Sequence, residues 1–322
     1  MAKIDVFNGD ADGICALHQL RLAQPGSDRL VTGAKRDIRL LERVEASTGD
    51  EITVLDISLD PNRPALLRLL DAGARVSYFD HHYAGEVPAH PNLQAHIDTA
   101  ADVCTSIIVD RHLNGRFRPW AVAAAFGDNL VASAQALAHA SGYATERTRM
   151  LAALGECLNY NGYGDTPEDL HVHPAELYSA LRPFADPGEF VAASPVYARL
   201  AAGFRADLSE TKALAPVLER DACRAWLLPD APWARRVSGV FANRLVSERP
   251  EAAHAVLTPD AHGSYTVSVR APLDRPDGAD ALCRQFANGG GRKAAAGINR
   301  LPAAEVDDFL RRFGAHFSGR MR

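Results

Sequence analysis

Residues 4–13 read Ile4-Asp5-Val6-Phe7-Asn8-Gly9-Asp10-Ala11-Asp12-Gly13: a short apolar run that ends in an acidic, glycine-flanked loop. The same plan recurs twice downstream. Glu51–Leu55 runs into Asp56, and Ala74–Phe79 runs into Asp80-His81-His82. Each apolar run has the length and composition of a buried strand. In an open parallel sheet the loops at the carboxyl ends of the strands converge on the ligand. Three strands that all end in acids therefore bring carboxylates and imidazoles together. Such a concentration of negative charge is costly without a cation to neutralise it.

Between these strands the chain alternates with helices. Gly13–Leu22 carries Ile14, Leu17 and Leu20 on one helical face, Leu30–Thr32 is a second short strand, and Leu40–Ala46 reads as helix. Pro61–Asp71 reads as a helix with Gly73 past its end. Strand–helix alternation implies right-handed crossovers and a parallel sheet. From Thr105 to Leu158 the pattern is helical, interrupted at Gly115 and at Gly127-Asp128-Asn129. The stretches Asn159–Asp165 and Pro183–Gly188 have loop composition, and Phe190–Ala215 reads as helical. Strands at Ala225–Leu228, Ala252–Leu257 and Tyr265–Arg270 then build a smaller α/β domain. The expected organisation is a catalytic domain over residues 1–188, a helical connector over 189–215 and a substrate-binding domain over 216–322.

Composition bounds the function. The chain has 322 residues, 47% of them apolar, so it has material for two cores. No run approaches the roughly 20 apolar residues of a membrane span, and the N-terminus lacks an apolar leader; the expectation is a cytoplasmic protein. Five cysteines without a C-x-x-C pair read as reduced, packed thiols. A net charge of −5 excludes a protein that coats long nucleic acid through a global basic field.

Asp10 and Asp12 stand two apart ahead of a helix, and Gly9 and Gly13 permit the tight turn that aims both inward. Taken alone, Asp12 reads equally as a helix N-cap. Oxygen donors joined by imidazole suit manganese or magnesium better than zinc. His81 is the expected imidazole ligand, His82 a proton donor to the leaving group or a phosphate contact, and Asp80 an orienting acceptor. Asp128, in Ala125-Phe126-Gly127-Asp128-Asn129, is either a helix cap or a further metal-site carboxylate. His18, His90, His96, His171 and His173 read as surface or capping residues. Downstream, Gly289-Gly290-Gly291 precedes Arg292 and Lys293 and a small-residue stretch expected to be helical. Such a run reads as a backbone nest for phosphate oxygens, and Ser268 and Arg270 add donors just upstream.

Together these residues resemble the DHH phosphoesterase superfamily with its associated C-terminal domain, over nearly the whole chain. Its D-x-D motif is matched by Asp10 and Asp12, its second acidic motif by Asp56, its namesake triplet by Asp80-His81-His82 and its fourth motif by Asp128. Its C-terminal glycine signature is matched by Gly289–Gly297 and its S-x-R strand by Ser268 and Arg270. The resemblance implies two domains with an active-site cleft between them and two manganese ions, with magnesium as a substitute. Asp10 and Asp56 would hold one ion; Asp12, Asp56, His81 and Asp128 the other. Water between the ions would attack phosphorus while Arg270 and the glycines place the substrate.

Two departures stand out. Where many members carry an extra ligand ahead of D-x-D, this chain has Val6 and Asn8, whose amide oxygen is a neutral candidate ligand. Arg292 replaces the usual His of the glycine signature and fixes a positive charge there. The branch that fits best hydrolyses short nucleotides, as nanoRNases and 3′-phosphoadenosine 5′-phosphate phosphatases do. The expected substrates are 5′-phosphorylated dinucleotides, short oligonucleotides or 3′-phosphoadenosine 5′-phosphate, with no long nucleic acid and no membrane as partner. A RecJ-like exonuclease would bring further nucleic-acid-binding domains, and the expectation here is that none follows Arg322. A nucleotide-binding regulatory protein without turnover is the alternative from another class. Oligomeric state is not written in the sequence.

Overall fold

The computed structural model describes residues 1–26 and 28–318. The chain divides at Ala202/Gly203 into two compact units. That boundary falls inside a helix, Pro195–Glu210, so the segment read as a connector over 189–215 is shared between units.

The first unit contains β1 (Lys3–Asn8), α1 (Ala11–Ala23), β2 (Arg29–Gly33), β3 (Glu51–Leu55), α2 (Leu59–Asp71), β4 (Arg75–Asp80) and β5 (Leu93–Ile97). Helices α3 (Thr105–His112), α4 (Arg118–Gly127), α5 (Val131–Ala140), α6 (Thr145–Gly162), α7 (Pro174–Leu181), α8 (Pro187–Ala193) and the first half of α9 (Pro195–Glu210) follow. The sheet is parallel throughout, in the order β2-β1-β3-β4-β5. Strand order reverses between β1 and β3, the switch point at which such sheets bind ligands. Asp10 follows one of those strands and Asp56 the other.

Alternation along the strands builds two cores. Val6, Ile52, Val54, Val76 and Tyr78 face α2. Phe7, Leu55 and Phe79 face α1 and the helical extension, where Ile14, Leu17, Trp120, Leu154 and Leu158 are buried. Each such side chain contributes about 1.5–3 kcal/mol on full burial. Helices α4 and α6 touch backbone to backbone: a methyl on Gly155 would lie 1.9 Å from the Ala123 carbonyl oxygen.

The helix expected over Leu40–Ala46 is only a single turn of 3-10 helix, Leu40–Arg43. Leu40, Leu41 and Val44 are all buried, so the segment packs rather than presents a face. Helix α6 continues through Asn159 to Gly162, into the stretch read as loop, because its polar residues find tertiary partners. Asn161 bonds Val172 through both ends of its amide, at 2.8 and 3.1 Å, and the Tyr160 hydroxyl lies 2.7 Å from His171 Nε2. His18, read as a surface or capping residue, is buried edge-on against Trp120.

The second unit comprises β6 (Leu218–Arg220), β7 (Cys223–Leu227), α10 (Pro232–Glu248), β8 (Ala253–Pro259), β9 (Ser264–Arg270), α11 (Ala279–Cys283), β10 (Gly289–Gly291), β11 (Ala295–Pro302) and α12 (Val306–Ser318). Its mixed sheet runs β10-β11-β9-β8-β7-β6. Phe309, Phe313 and Phe317 of α12 pack on Val267, Val269 and Ile298, and α10 packs on Trp226 and Val256. All five cysteines are free and buried. No helix among the described residues is long and apolar enough to cross a membrane.

Candidate functional site

The loop after β1 is held from both sides. The Asn8 side chain accepts the Asp10 N–H at 3.2 Å and donates to the Lys35 carbonyl at 3.2 Å. Neither Gly9 nor Gly13 has a positive φ. They are required for close approach instead: a methyl on Gly9 would meet the Gly33 carbonyl oxygen at 2.1 Å, and one on Gly13 the Asn8 carbonyl oxygen at 2.3 Å. Asp10 is the N-cap of α1, its Oδ1 accepting from Asp12 N and Gly13 N at 2.9 and 3.1 Å. Asp12 caps a different helix. Its two oxygens accept the Thr105 and Ser106 N–H groups, at 2.7 Å each, at the start of α3.

Asp56 stands just past β3 with φ of +59°, a left-handed conformation that Asp and Asn tolerate better than most residues. Its N–H bonds the Phe79 carbonyl at 3.0 Å, and its Oδ1 accepts from the Thr105 hydroxyl at 3.2 Å. Beyond β4, the His81 Nδ1–H donates to the Val103 carbonyl at 3.0 Å. That bond fixes the tautomer and turns Nε2 toward Asp56 (3.4 Å), Asp128 (3.9 Å) and Asp12 (4.0 Å). Asp80 is fully buried; its Oδ1 accepts from His82 Nδ1 at 2.7 Å, while Oδ2 has no hydrogen-bond partner among the described residues. Asp128 terminates α4 and joins the same cluster.

The structure adds a residue that the sequence reading missed. Lys35 Nζ lies 2.5 Å from Asp10 Oδ2, 3.1 Å from Asn159 Oδ1 and 3.6 Å from Asp128 Oδ1, over the Tyr163 ring. A basic residue two positions past β2, the neighbour of β1, was the available signal. Thr105 and Ser106 were invisible because their part is played by backbone and a hydroxyl.

Electrostatics follow from these distances. Burial raises the Asp10 carboxyl, but the Lys35 ammonium outweighs it and holds the group below its ordinary value. Burial, then Asp10 and Asp12, push Asp56 well above the carboxylate range. Burial also raises Asp128 despite Lys35. His81 is pulled down by burial, yet the Asp56 hydrogen bond and the surrounding carboxylates push it up to about 10. The cluster retains a proton where a cation would serve. Two overlapping groups, Asp12/His81/Asp128 and Asp56/His81/His82, each place ligand atoms within 4.8 Å of one another. Hard oxygens with one oriented imidazole fit manganese or magnesium.

In the second unit, the helix expected after the glycines does not form. Gly289–Gly291 is strand β10, paired antiparallel with β11, and Arg292 and Ala295 close the hairpin through N–H···O bonds of 2.9 and 3.2 Å. Cross-strand pairing with β9 and β11 overrides the local preference of the glycines and alanines. Gly290, Gly297 and Ser268 lie opposite one another across β10, β11 and β9. Arg270 follows Ser268 by two and so shares its face of β9; its Nε donates to Asn243 of α10 at 2.8 Å. Arg292 and Lys293 are exposed at the hairpin tip.

No protein-family model and no curated protein sequence matches the chain. Solved structures do. A RecJ exonuclease bound to manganese aligns with 99% of this chain and 91% of its own length, at 20% identity and a TM-score of 0.63. RecJ of Thermus thermophilus in complex with Mn2+ aligns with 98% of the chain at 20% identity and a TM-score of 0.65, and the chain spans 52% of its length. PggH, a pGpG-specific phosphodiesterase from Vibrio cholerae, aligns over 98% of this chain and 100% of its own, at 14% identity and a TM-score of 0.55. The chain has the fold of the DHH phosphoesterases.

Proposed function

We propose that this chain is a metal-dependent phosphoesterase of the DHH superfamily that hydrolyses short nucleotides. One observation carries the proposal: Asp12, Asp56 and Asp128, from three separate parts of the first unit, surround His81 Nε2 at 3.4–4.0 Å. The donor set fits a divalent cation, and the tautomer-fixing bond to Val103 leaves Nε2 available to it. When bound, a divalent ion neutralises the carboxylates and acidifies a coordinated water at neutral pH.

The chain's own residues take the remaining parts. Thr105 and the start of α3 hold Asp56 and Asp12 in position. His82, nearly half-exposed and tethered to Asp80, delivers a proton to the leaving oxygen. Ser268, Arg270, Gly289, Gly290, Gly291, Arg292 and Lys293 are assigned to the substrate's phosphates, with Arg292 favouring a terminal one. The shared fold of PggH supports a dinucleotide-sized substrate, and so does the acidic net charge of −5. The five buried, free cysteines fit a reducing, cytoplasmic setting.

The test is hydrolysis with Mn2+ across 5′-phosphorylated dinucleotides, their unphosphorylated counterparts, 3′-phosphoadenosine 5′-phosphate, long single strands and pyrophosphate. Asp56→Ala serves as the blank. Turnover of the phosphorylated short substrates, lost in Asp56→Ala, is the expected result. Equal turnover of long strands would move the reading to a RecJ-like exonuclease. Bound Mn2+ and nucleotide without turnover anywhere would make it a binding protein. Equal turnover of phosphorylated and unphosphorylated dinucleotides would remove the role given to Arg292, with Arg292→His as the comparison.

A further inference from the structure

Lys35 occupies ground that a two-ion centre would need. Its backbone is pinned at both ends: the N–H donates to the Gly162 carbonyl at 2.8 Å, and the carbonyl accepts from Asn8 Nδ2 at 3.2 Å. The side chain therefore leaves a fixed point, between β1 and the end of α6. Its ammonium has three protons to donate, and around it stand Asp10 Oδ2 at 2.5 Å, Asn159 Oδ1 at 3.1 Å and Asp128 Oδ1 at 3.6 Å. The Tyr163 ring closes a further side, its centroid 5.5 Å away.

Asp10 Oδ1 takes two backbone N–H groups of α1, and Asp10 Oδ2 takes Lys35. Asp12 also accepts two backbone N–H groups, so what sets Asp10 apart from it is a cation already seated on its second oxygen. Asn8 uses both ends of its amide on backbone, at Asp10 and Lys35. Neither group of converging ligand atoms includes Asp10; both centre on His81. An ion about 2 Å from Asp10 Oδ2 would lie no farther than about 4.5 Å from the ammonium, given the 2.5 Å contact, and would be repelled by it.

We propose that Lys35 is a built-in cation standing in for one ion of the pair, so that the centre binds a single divalent ion around His81. Asp12, Asp56, His81 and Asp128 hold that ion, while Lys35 neutralises Asp10 and presents a fixed positive charge beside it. This rests on the metal-centre reading given above. It also accounts for Asn8, which serves as a clamp on the Lys35 backbone.

The experiment counts Mn2+ bound by the full chain, by equilibrium dialysis with metal analysis and by calorimetric titration. Spin resonance of bound Mn2+ on the same samples gives an independent reading. The parent should bind one ion with the spectrum of an isolated centre. Lys35→Met, which keeps the length and removes the charge, should bind two, and Lys35→Arg should bind one. Two ions in the parent, or an exchange-coupled pair in its spectrum, overturns the inference. So does a folded Lys35→Met protein that still binds one. Should Lys35→Met not fold, the parent's ion count and spectrum decide. A parent that binds no Mn2+ at all is a different outcome, which removes the metal-centre reading and this inference with it.

Discussion

Replacing Asp12 by Asn takes a charge and an acceptor from a carboxylate whose two oxygens are both in use. Thr105 N and Ser106 N each donate to it at 2.7 Å, and the residue is 1% exposed. An amide retains one acceptor and sets its NH2 against the other N–H. Losing a hydrogen bond to a charged acceptor costs about 1.5–3 kcal/mol. Losing the negative charge at the start of α3 adds about 0.3–1 kcal/mol. Relief of repulsion at Asp56 and Asp128, which Asp12 helps to raise, offsets part of this. The net cost is about 1–3 kcal/mol. Thermal unfolding in chelator reads it directly: for a unit of this size each kcal/mol moves the midpoint by about 2–4 °C, so the fall should be about 2–12 °C. Asp128→Asn is the comparison. The nearest cation to Asp128 is 3.6 Å away, and burial among acids raises its carboxyl. Its loss should leave the metal-free midpoint unchanged or higher. An Asp12→Asn protein as stable in chelator as the parent would refute the claim that this carboxylate is a structural cap as well as a ligand.

Mn2+ binding should release protons, because in the metal-free protein His81 holds its proton up to about 10 and Asp56 is raised. Affinity should therefore rise with pH from 6 to 8.5, by up to about tenfold per pH unit for each proton displaced; calorimetry in buffers of different ionisation enthalpy counts the protons, and a flat profile would mean that the metal-free cluster holds no proton for the ion to displace. His18 donates to the Phe184 carbonyl at 2.8 Å, and burial pushes it down to about 4. The unfolded chain then takes this proton first, so the contribution is intact above about 6.5 and is lost as pH falls toward 4, by up to about 3 kcal/mol. His18→Gln should flatten the acid limb of the stability curve, and an unchanged slope would remove the assignment. Gly155→Ala drives a methyl to 1.9 Å from the Ala123 carbonyl oxygen and should cost about 3 kcal/mol or more by urea unfolding. A loss under about 1 kcal/mol would mean that α4 and α6 can part.

The candidate site was legible because its acids and His81 sit where apolar runs stop, and a buried strand is the most readable element of a sheet. Asp10, Asp12, Asp56, His81 and Asp128 do come together. What stayed hidden depends on partners remote in sequence. Strand β5, Leu93–Ile97, is a half-exposed edge with Gln94 and His96 in it, so it carries little apolar signal. The glycine run read as a nest ahead of a helix because its strand character comes from β11, which is itself paired with β9. Lys35 had no local signature at all, being one cation in the polar stretch Gly33–Asp37; only the adjacency of β2 to β1 gives it meaning. Asn159 read as loop because its partner, Lys35, is 124 residues away.

At Asp56 the backbone and the chemistry filter substitutions separately. A φ of +59° admits Gly, Asn and Asp far more readily than any branched or bulky residue, whereas the proposed hydrolysis needs a charged oxygen there. A library randomised at this one codon and sorted for folded protein should return all three. The same library sorted for turnover should return aspartate alone. The difference between the two survivor sets would separate what the fold asks of this position from what catalysis asks, without any change to the rest of the chain.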